Sequence, residues 1–241
     1  SSCPVCAARE TFFFSRKDNY DFSRCRSCDF VYLDPMPDQT TLNALYVQEN
    51  HEAEPVYDKA SSRLRRAWLK LPRFLPFALN KDTLDLGCGG GFITHVLGHV
   101  ARSSTGIDIS QNAIDYAARR FSKPRFLCRD FSDLLDSADR YDFIYSSEVI
   151  EHVSDINLYM RVLQLLTREG GHVYITTPDI GHPRVPVSIN DWDVFTPPVH
   201  VQFFNRASAQ RLFANYGFEI LRFYPNRKPG LIFAARKVTT N

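Results

Sequence analysis

The chain has 241 residues, 44% of them hydrophobic and 23% charged, and its 29 Lys and Arg against 27 Asp and Glu give a formal net charge of +2. This composition is typical of a folded globular chain and excludes a disordered one. The balanced charge excludes a whole-molecule field that attracts polyanions, and no stretch reaches the roughly 20 apolar residues that span a bilayer. Since the first residues also show no signal-peptide pattern, we expect a cytoplasmic protein with no membrane partner, and nucleic acid is disfavoured as a partner.

The N-terminal segment carries four of the six cysteines, in two CxxC pairs with eighteen residues between them. This spacing is typical of a zinc ribbon, in which four thiolates hold one tetrahedral Zn²⁺. The alternatives are two disulfides, which suit secreted chains, or a redox CxxC motif, which does not come paired. We therefore predict a structural zinc held by Cys3, Cys6, Cys25 and Cys28. The prolines of Asp34–Asp38 end the ribbon, which we place at residues 1–38.

Residues 39–80 are predicted to form a helical extension or lid. A short helix is predicted over Thr40–Gln48, and a longer one lies within Val56–Leu79. In the longer helix one face should carry Leu64, Trp68, Leu71 and Leu75. Its basic residues are interpreted as a solvated face, so we assign no function to them.

The remaining residues, 81–241, alternate short apolar runs with helical patterns. This alternation predicts an α/β fold with a parallel sheet and helices on both faces. In such folds ligands bind beyond the carboxyl ends of the strands. The residues that follow each predicted strand are therefore the candidate functional residues.

The first predicted strand of this core ends in a glycine-rich turn, Asp85 to Gly91. Its glycines are not in the GxGxxG register of a dinucleotide site, and it lacks the lysine of a P-loop. An acidic residue directly before the turn suits a ligand with an amino group. Asp108, after the next strand, can accept both hydroxyl hydrogens of a ribose, and Asp130 beside Phe131 can accept from an exocyclic amine. Together these acids predict a neutral or cationic nucleoside.

These motifs, with the segment Tyr141 to Val153, resemble those of the class I S-adenosylmethionine-dependent methyltransferases over about residues 80 to 240. The resemblance implies a Rossmann-like seven-stranded sheet whose last strand is antiparallel, and S-adenosylmethionine as the cofactor. It assigns the methionine end of the cofactor to Asp85, Gly87 and Gly89, and the ribose to Asp108. It further implies cofactor contacts from Ile109, Asp130, Phe131 and Ser147.

The ribbon and a later segment narrow the resemblance. Two CxxC knuckles, an Asp-Pro exit and the Pro197 to Phe204 segment resemble bacterial methyltransferases of saccharides and secondary metabolites. The implied reaction is methylation of a small-molecule hydroxyl, on a sugar or a related metabolite. The alternatives are C-methylation of a nucleotide-sugar, or a non-catalytic binding module with the same fold.

The candidate catalytic residues are Glu148, His152 and His200. Glu148, Glu151 and His152 are spaced i, i+3 and i+4 and would share one face of a predicted helix, with His200 as a fourth group. Such a set suits a divalent metal, and it resembles the ExxEH motif of Hen-type small-RNA 2′-O-methyltransferases and related residues of ubiquinone-pathway O-methyltransferases. In the alternative, Glu148 lines the cofactor pocket, Glu151 faces solvent and His152 alone is the base.

The segment from Thr177 to Asn205 is long for a connection and is predicted to be a functional lid. Trp192 and Phe195 within it either stack on an acceptor ring or seal the hydrophobic edge of the domain.

Overall fold

The computed structural model describes residues 2–50 and 59–238 and arranges its strands in two sheets. The strands are β1 (Thr11–Lys17), β2 (Tyr20–Cys25), β3 (Val31–Leu33), β4 (Asp82–Leu86), β5 (Ser103–Asp108), β6 (Arg125–Cys128), β7 (Tyr141–Ser147), β8 (Thr167–Pro178), β9 (Gln202–Phe203), β10 (Phe218–Phe223) and β11 (Gly230–Lys237). The α-helices are α1 (Gln39–Asn50), α2 (Ala60–Ala78), α3 (Phe92–Leu97), α4 (Gln111–Arg120), α5 (Phe131–Leu134), α6 (Ile156–Leu166) and α7 (Arg206–Asn215), with 3-10 turns at Ile150–His152 and Ile189–Asp191.

The larger sheet has seven strands in the order β10-β11-β8-β7-β4-β5-β6. Strands β4 to β8 are parallel to one another, whereas β11 runs antiparallel to β8 and to β10. The chain moves outward from β4 through β5 to β6 and then returns to the other side of β4 with β7. This reversal places a crevice at the carboxyl end of β4. The fold class predicted from the sequence is confirmed.

Helices cover this sheet through apolar stripes, and α2 keeps Leu64 and Leu71 of its predicted face packed against the core. Its buried residues are Ala67, Phe74 and Ala78, whereas Trp68 of the predicted face is 38% exposed. The Phe74 ring packs against the rings of Phe143, Tyr145 and Tyr174 on the sheet, at 5.4 to 6.1 Å. The aromatic surface of the sheet therefore selects the helix face. Residues 56–58 of the predicted helix lie outside the described residues.

The smaller sheet joins the N-terminal strands to the lid segment, in the order β1-β2-β3-β9. Val31 pairs with Phe203, and a buried cluster around this contact includes Trp192 and Phe195, which are 3% and 0% exposed. Phe195 packs on Phe22 of the ribbon with ring centroids 4.5 Å apart. These two side chains therefore seal a hydrophobic edge, and the interpretation that they stack on an acceptor ring is wrong. The domain limits at residues 38 and 80 stay predictions.

No described helix has both the length and the apolar character needed to cross a membrane.

Candidate functional site

The two CxxC motifs fold into matching turns. In the first turn, the Ala7 N–H donates to the Cys3 carbonyl and the Cys3 N–H donates to the Ala8 carbonyl. In the second turn, the Asp29 N–H donates to the Cys25 carbonyl and the Cys25 N–H donates to the Phe30 carbonyl. The residue after each motif has a positive φ, 57° at Ala7 and 58° at Asp29. The sequence repeat thus becomes a structural repeat that directs both cysteine pairs at one point.

The sulfur atoms of Cys3, Cys6, Cys25 and Cys28 lie within 4.8 Å of one another. The distances Cys3–Cys28 and Cys6–Cys25 are 3.7 and 3.5 Å, far from the ~2.05 Å of a disulfide. They are close to the edge of about 3.8 Å in a tetrahedron whose Zn–S bonds are ~2.3 Å. The residues present therefore fit a closed tetrahedral zinc site.

The turn after β4 depends on Gly87. This residue has φ of 79°, and a Cβ built on it would lie 2.3 Å from Cγ2 of Val149. Its N–H and that of Cys88 both donate to the Ile107 carbonyl on β5, at 2.8 and 3.0 Å. A glycine is needed here for its left-handed backbone and for the close approach of the β7 loop.

A pocket whose empty space of about 820 Å³ includes open solvent lies against this turn at the carboxyl end of the sheet. Its walls come from α1, from the ends of β4, β5 and β6, and from the loop after β7. The lining residues are Gln39, Leu42, Asn43, Leu45, Tyr46, Leu86, Gly87, Ile107, Asp108, Ile109, Arg129, Asp130, Phe131, Leu134, Glu148, Val149, His152, Val153, Pro198 and Val199.

Two of the predicted cofactor acids face this cavity. Asp108 is 4% exposed and accepts from the N–H groups of Gly89 and Ser110, at 2.8 and 2.9 Å, while its burial raises its pKa. Asp130 caps α5 and accepts from the side-chain amide of Asn43 at 3.1 Å. The predicted contacts Gly87, Ile109 and Phe131 line the same space.

Three other predicted cofactor residues do not line the cavity. Asp85 is 3% exposed and accepts from the Thr94 hydroxyl at 2.7 Å, and burial raises its pKa to about 7. The Gly89 N–H donates to Oδ2 of Asp108. The Ser147 hydroxyl lies 2.5 Å from that of Thr176. Asp85 and Gly89 therefore stabilise the turn without lining the cavity.

Of the candidate catalytic and metal-binding residues, Glu148 and His152 line the cavity, whereas Glu151 and His200 are not among its lining residues. Ligand atoms of Glu151, His152 and His200 lie within 4.8 Å of one another. Glu151 is fully buried, and its Oε2 accepts from the Thr177 hydroxyl at 3.0 Å, whereas its Oε1 has no hydrogen-bond partner among the described residues. Burial, with the carboxylate of Glu148 nearby, raises the pKa of Glu151 well above its ordinary value. The interpretation of Glu151 as a solvent-facing residue is wrong.

Both histidines are oriented by backbone carbonyls. Nδ1 of His152 lies 2.8 Å from the Val199 carbonyl, and Nδ1 of His200 lies 2.6 Å from that of Val194. Since a carbonyl only accepts, each Nδ1 carries the proton and the basic lone pair of the neutral ring is on Nε2. Burial and the neighbouring His200 lower the pKa of His152 to about 4, so its ring is neutral near pH 7.

Glu148 does not join this group, which corrects the predicted four-residue set. The predicted helix is replaced by a short 3-10 turn over Ile150–His152, and Glu148 precedes it with φ of 56°. The Thr176 hydroxyl donates to its Oε1 at 2.8 Å. The helical turn begins only after Glu148, so Glu148 does not share a helix face with Glu151 and His152. The Glu148 carboxylate lines the cavity and lies near Glu151, but it is outside the three-residue cluster.

Sequence reasoning missed the contributions of α1 and β9. A helix was predicted at the position of α1, but nothing in the sequence indicated which of its side chains line the cavity. Gln202 of β9 is fully buried, and its amide donates to the carbonyls of Ile150 and Val153 at 2.6 and 2.9 Å. This clamp fixes the loop that carries Glu151 and His152.

Comparison with known proteins identifies the domain. A family model described as a methyltransferase domain matches residues 57–222. The biotin biosynthesis bifunctional protein BioHC of Cellvibrio japonicus is 28% identical over 175 residues, which cover 71% of this chain and 34% of that protein. A ubiquinone biosynthesis O-methyltransferase of Coxiella burnetii is 32% identical over 101 residues, 40% of this chain and 43% of that one. The chain thus spans less than half the length of these relatives.

Solved structures share the fold. The magnesium protoporphyrin IX methyltransferase of Synechocystis PCC 6803 with bound SAH has a TM-score of 0.63 at 15% identity, covering 83% of this chain and 100% of that chain. A DhpI-SAM-HEP complex has a TM-score of 0.61 at 18% identity, covering 82% and 97%. At these identities the likeness is one of fold.

Proposed function

Because the chain belongs to the S-adenosylmethionine-dependent methyltransferase family, we propose that it transfers the cofactor's methyl group to a hydroxyl of a small molecule, a sugar or a related metabolite. One observation carries the proposal: Asp108, Asp130, Glu148 and His152 line a single cavity. The first pair supplies a nucleoside site and the second a basic acceptor site, which are the two requirements of the reaction.

The cofactor half is argued from charge and geometry. The Asp108 carboxylate suits the ribose hydroxyls and Asp130 suits the adenine amine, with Phe131 and Ile109 as apolar neighbours. The tight turn at Gly87 lets the backbone approach the ligand closely. When bound, S-adenosylmethionine supplies an electrophilic methyl group, and alignment of acceptor oxygen, methyl and sulfur gives most of the rate enhancement.

The acceptor half uses His152 as the base. Its ring is neutral near pH 7, the Val199 carbonyl holds Nδ1–H, and Nε2 is left to take the hydroxyl proton. His200 lies beside it with ring centroids 4.6 Å apart and is the second candidate base.

The same residues fit a divalent metal. Glu151, His152 and His200 would hold it through one carboxylate oxygen and the two Nε2 atoms, a set that suits Zn²⁺ or Mn²⁺. With the metal bound, His152 would be a ligand and not the base. The metal would supply Lewis acidity toward the acceptor oxygen. The buried Oε1 of Glu151, which has no hydrogen-bond partner among the described residues, supports this part of the proposal.

The cysteine cluster is proposed to hold a structural zinc, since all four positions are thiols and no open ligand position is left for chemistry. The six cysteines are unpaired, which suits a reducing compartment and supports the proposed cytoplasmic location.

The test is methyl transfer from isotope-labelled S-adenosylmethionine to a panel of hydroxylated sugars and metabolites, with products analysed by NMR. An O-methyl ether that depends on His152 supports the proposal, and a carbon branch would replace it with C-methylation. Loss of activity in Glu151→Ala and stimulation by Mn²⁺ support the metal. Full activity in excess chelator contradicts it.

A further inference from the structure

A chain of hydrogen bonds passes through α1 and includes three residues that line the cavity, Gln39, Asn43 and Asp130. The amide of Asn43 donates to Oδ2 of Asp130 at 3.1 Å, and the amide of Gln39 donates to Oδ1 of Asn43 at 2.8 Å. Oε1 of Gln39 then accepts from the backbone N–H and the hydroxyl of Ser154, at 2.8 and 2.9 Å. Two side chains on successive turns of one helix thus connect Asp130 to Ser154.

The direction of this chain is fixed at both ends. The Ser154 N–H can only donate, so the oxygen of the Gln39 amide must face it. At the other end Oδ2 of Asp130 accepts from Asn43, so the nitrogen of the Asn43 amide faces it. The contact between the two amides is then nitrogen to oxygen, and no flipped arrangement satisfies all three contacts.

The two ends of the chain belong to different halves of the site. Asp130 is at the proposed adenine end, and Ser154 follows His152 and Val153 in the acceptor loop. That loop is held from the core side by Gln202, through the carbonyls of Ile150 and Val153. Gln39 holds it from the opposite, cavity side. The acceptor loop is therefore clamped between one fixed element, β9, and one element that covers the cavity, α1.

Other contacts of α1 also depend on what fills the cavity. Leu42, Leu45 and Tyr46 line it. The Tyr46 hydroxyl interacts with the carboxylate of Asp108, and its ring lies 6.5 Å from that of His152. A nucleoside seated on Asp108 and Asp130 would therefore pack directly beneath α1.

We infer that Gln39 and Asn43 are positioning residues that link cofactor binding at Asp130 to the placement of His152 in the acceptor loop. The inference rests on the proposed function, because it takes Asp130 as a cofactor contact. A nucleoside beneath α1 fixes the helix, and the helix fixes Ser154 through Gln39. Cofactor binding thereby sets the acceptor loop before the acceptor arrives.

The test uses the zinc-loaded full chain and S-adenosylhomocysteine as the probe. The ring Cε1–Hε1 NMR signals of the seven histidines are recorded during titration, and the His152 signal is assigned with His152→Gln. The variants are Gln39→Ala, Gln39→Glu and Asn43→Ala. Gln111→Ala is the matched control, since Gln111 makes the same i, i+4 amide contact, with Asp115 at 2.7 Å, on the exposed face of α4.

In the wild type, a saturable shift of the His152 signal is expected. At saturating probe, Gln39→Ala should lose at least half of the shift, because the helix no longer holds Ser154. Gln39→Glu separates a link from simple loop support: its carboxylate still accepts from Ser154 but cannot donate to Asn43, so the shift should stay reduced. Asn43→Ala should also reduce it, and Gln111→Ala should not.

Two results overturn the inference. A full His152 shift in Gln39→Ala, or its full rescue in Gln39→Glu, shows that Gln39 only supports the loop, and the proposed function then stands. Failure of the wild type to bind S-adenosylhomocysteine overturns the proposed function and the inference together.

Discussion

The Thr177 hydroxyl donates to one oxygen of Glu151 at 3.0 Å, while the other oxygen of this buried carboxylate has no hydrogen-bond partner in the described part of the chain. Thr177 thus orients the carboxylate without satisfying it. A buried polar atom without a partner costs stability. The imidazole ligand atoms of His152 and His200 lie within 4.8 Å of this carboxyl group, and the proposed metal would bind there.

Thr177→Val is expected to weaken Mn²⁺ binding by about 10- to 100-fold, because the carboxylate loses the group that orients it toward the histidines. Thr177→Ser keeps the hydroxyl and should bind as the wild type does. Isothermal titration of Mn²⁺ into zinc-loaded protein measures both. Equal affinity in Thr177→Val and wild type would show that Thr177 does not orient a metal ligand.

Asp85 gives the protein a specific pH dependence. Burial raises the pKa of this acid from 3.8 to about 7, so the fold favours the neutral carboxyl. Its stabilising contribution is complete below the unfolded pKa and is lost as pH rises through about 7. Relative to Asp85→Asn, the free energy of unfolding of the wild type should fall by about 3 kcal/mol between pH 5 and pH 8.

Urea denaturation of the wild type and Asp85→Asn across this pH range measures the two free energies of unfolding. Both proteins have the same zinc site, so its contribution cancels in the difference. Asp115→Asn, on the exposed face of α4, is the control and should follow the wild type. Parallel curves for wild type and Asp85→Asn would show that Asp85 is not held neutral.

Cys25→Ser is expected to lose one zinc per chain and to lower the melting temperature by more than about 5 °C, since metal binding contributes directly to folding. Elemental analysis and thermal unfolding measure the two effects. Cys128→Ser is the matched control, because Cys128 is half-buried and lies outside the cluster. Unfolding of Cys25→Ser with its zinc retained would contradict a zinc site made of the four cysteines.

Gly87→Ala is expected to destabilise the fold and to abolish S-adenosylhomocysteine binding. The new Cβ would lie 2.3 Å from Cγ2 of Val149, and the alanine would have to adopt a positive φ. Gly170→Ala separates the two effects: φ is 71° there, but nothing lies within 4 Å of the new Cβ. Gly170→Ala should lower the free energy of unfolding only by the backbone strain, about 1–2 kcal/mol. Binding by Gly87→Ala with wild-type affinity would exclude this turn from the site.

Val149→Ala should partly rescue Gly87→Ala, since it removes the contacting methyl groups and leaves only the strain. Chemical denaturation and calorimetric titration of the four proteins measure this coupling. Equal destabilisation with and without Val149→Ala would show that the steric contact is unimportant.

Local patterns predicted what local chemistry decides. The CxxC spacing predicted the cysteine cluster because each motif forms its own turn, and the alternation of strands and helices predicted the sheet because connection length and apolar period constrain parallel strands. Asp108 and Asp130 were predicted for the same reason: each directly follows a strand, and the strand ends share one edge of the sheet.

The sequence misled where a neighbouring element makes the decision. Glu148 has the spacing of a helical ligand, but the chain becomes helical only at Ile150, so the spacing never acts as a helix repeat. The sequence allowed Trp192 and Phe195 to be either acceptor-site residues or core residues. They are core residues because they pack in one buried cluster with Phe22 of the ribbon.

The sequence by itself determined the cysteine cluster, the alternation of strands and helices in the larger sheet and the acids at its carboxyl edge, because these follow from turns and periods within short segments. Only the tertiary structure decided that α1 covers the cavity through Gln39 and Asn43, and that β9 clamps the acceptor loop through Gln202. These contacts join residues far apart in the chain. Their partners are selected by packing and by complementary hydrogen bonds, and no local pattern encodes either.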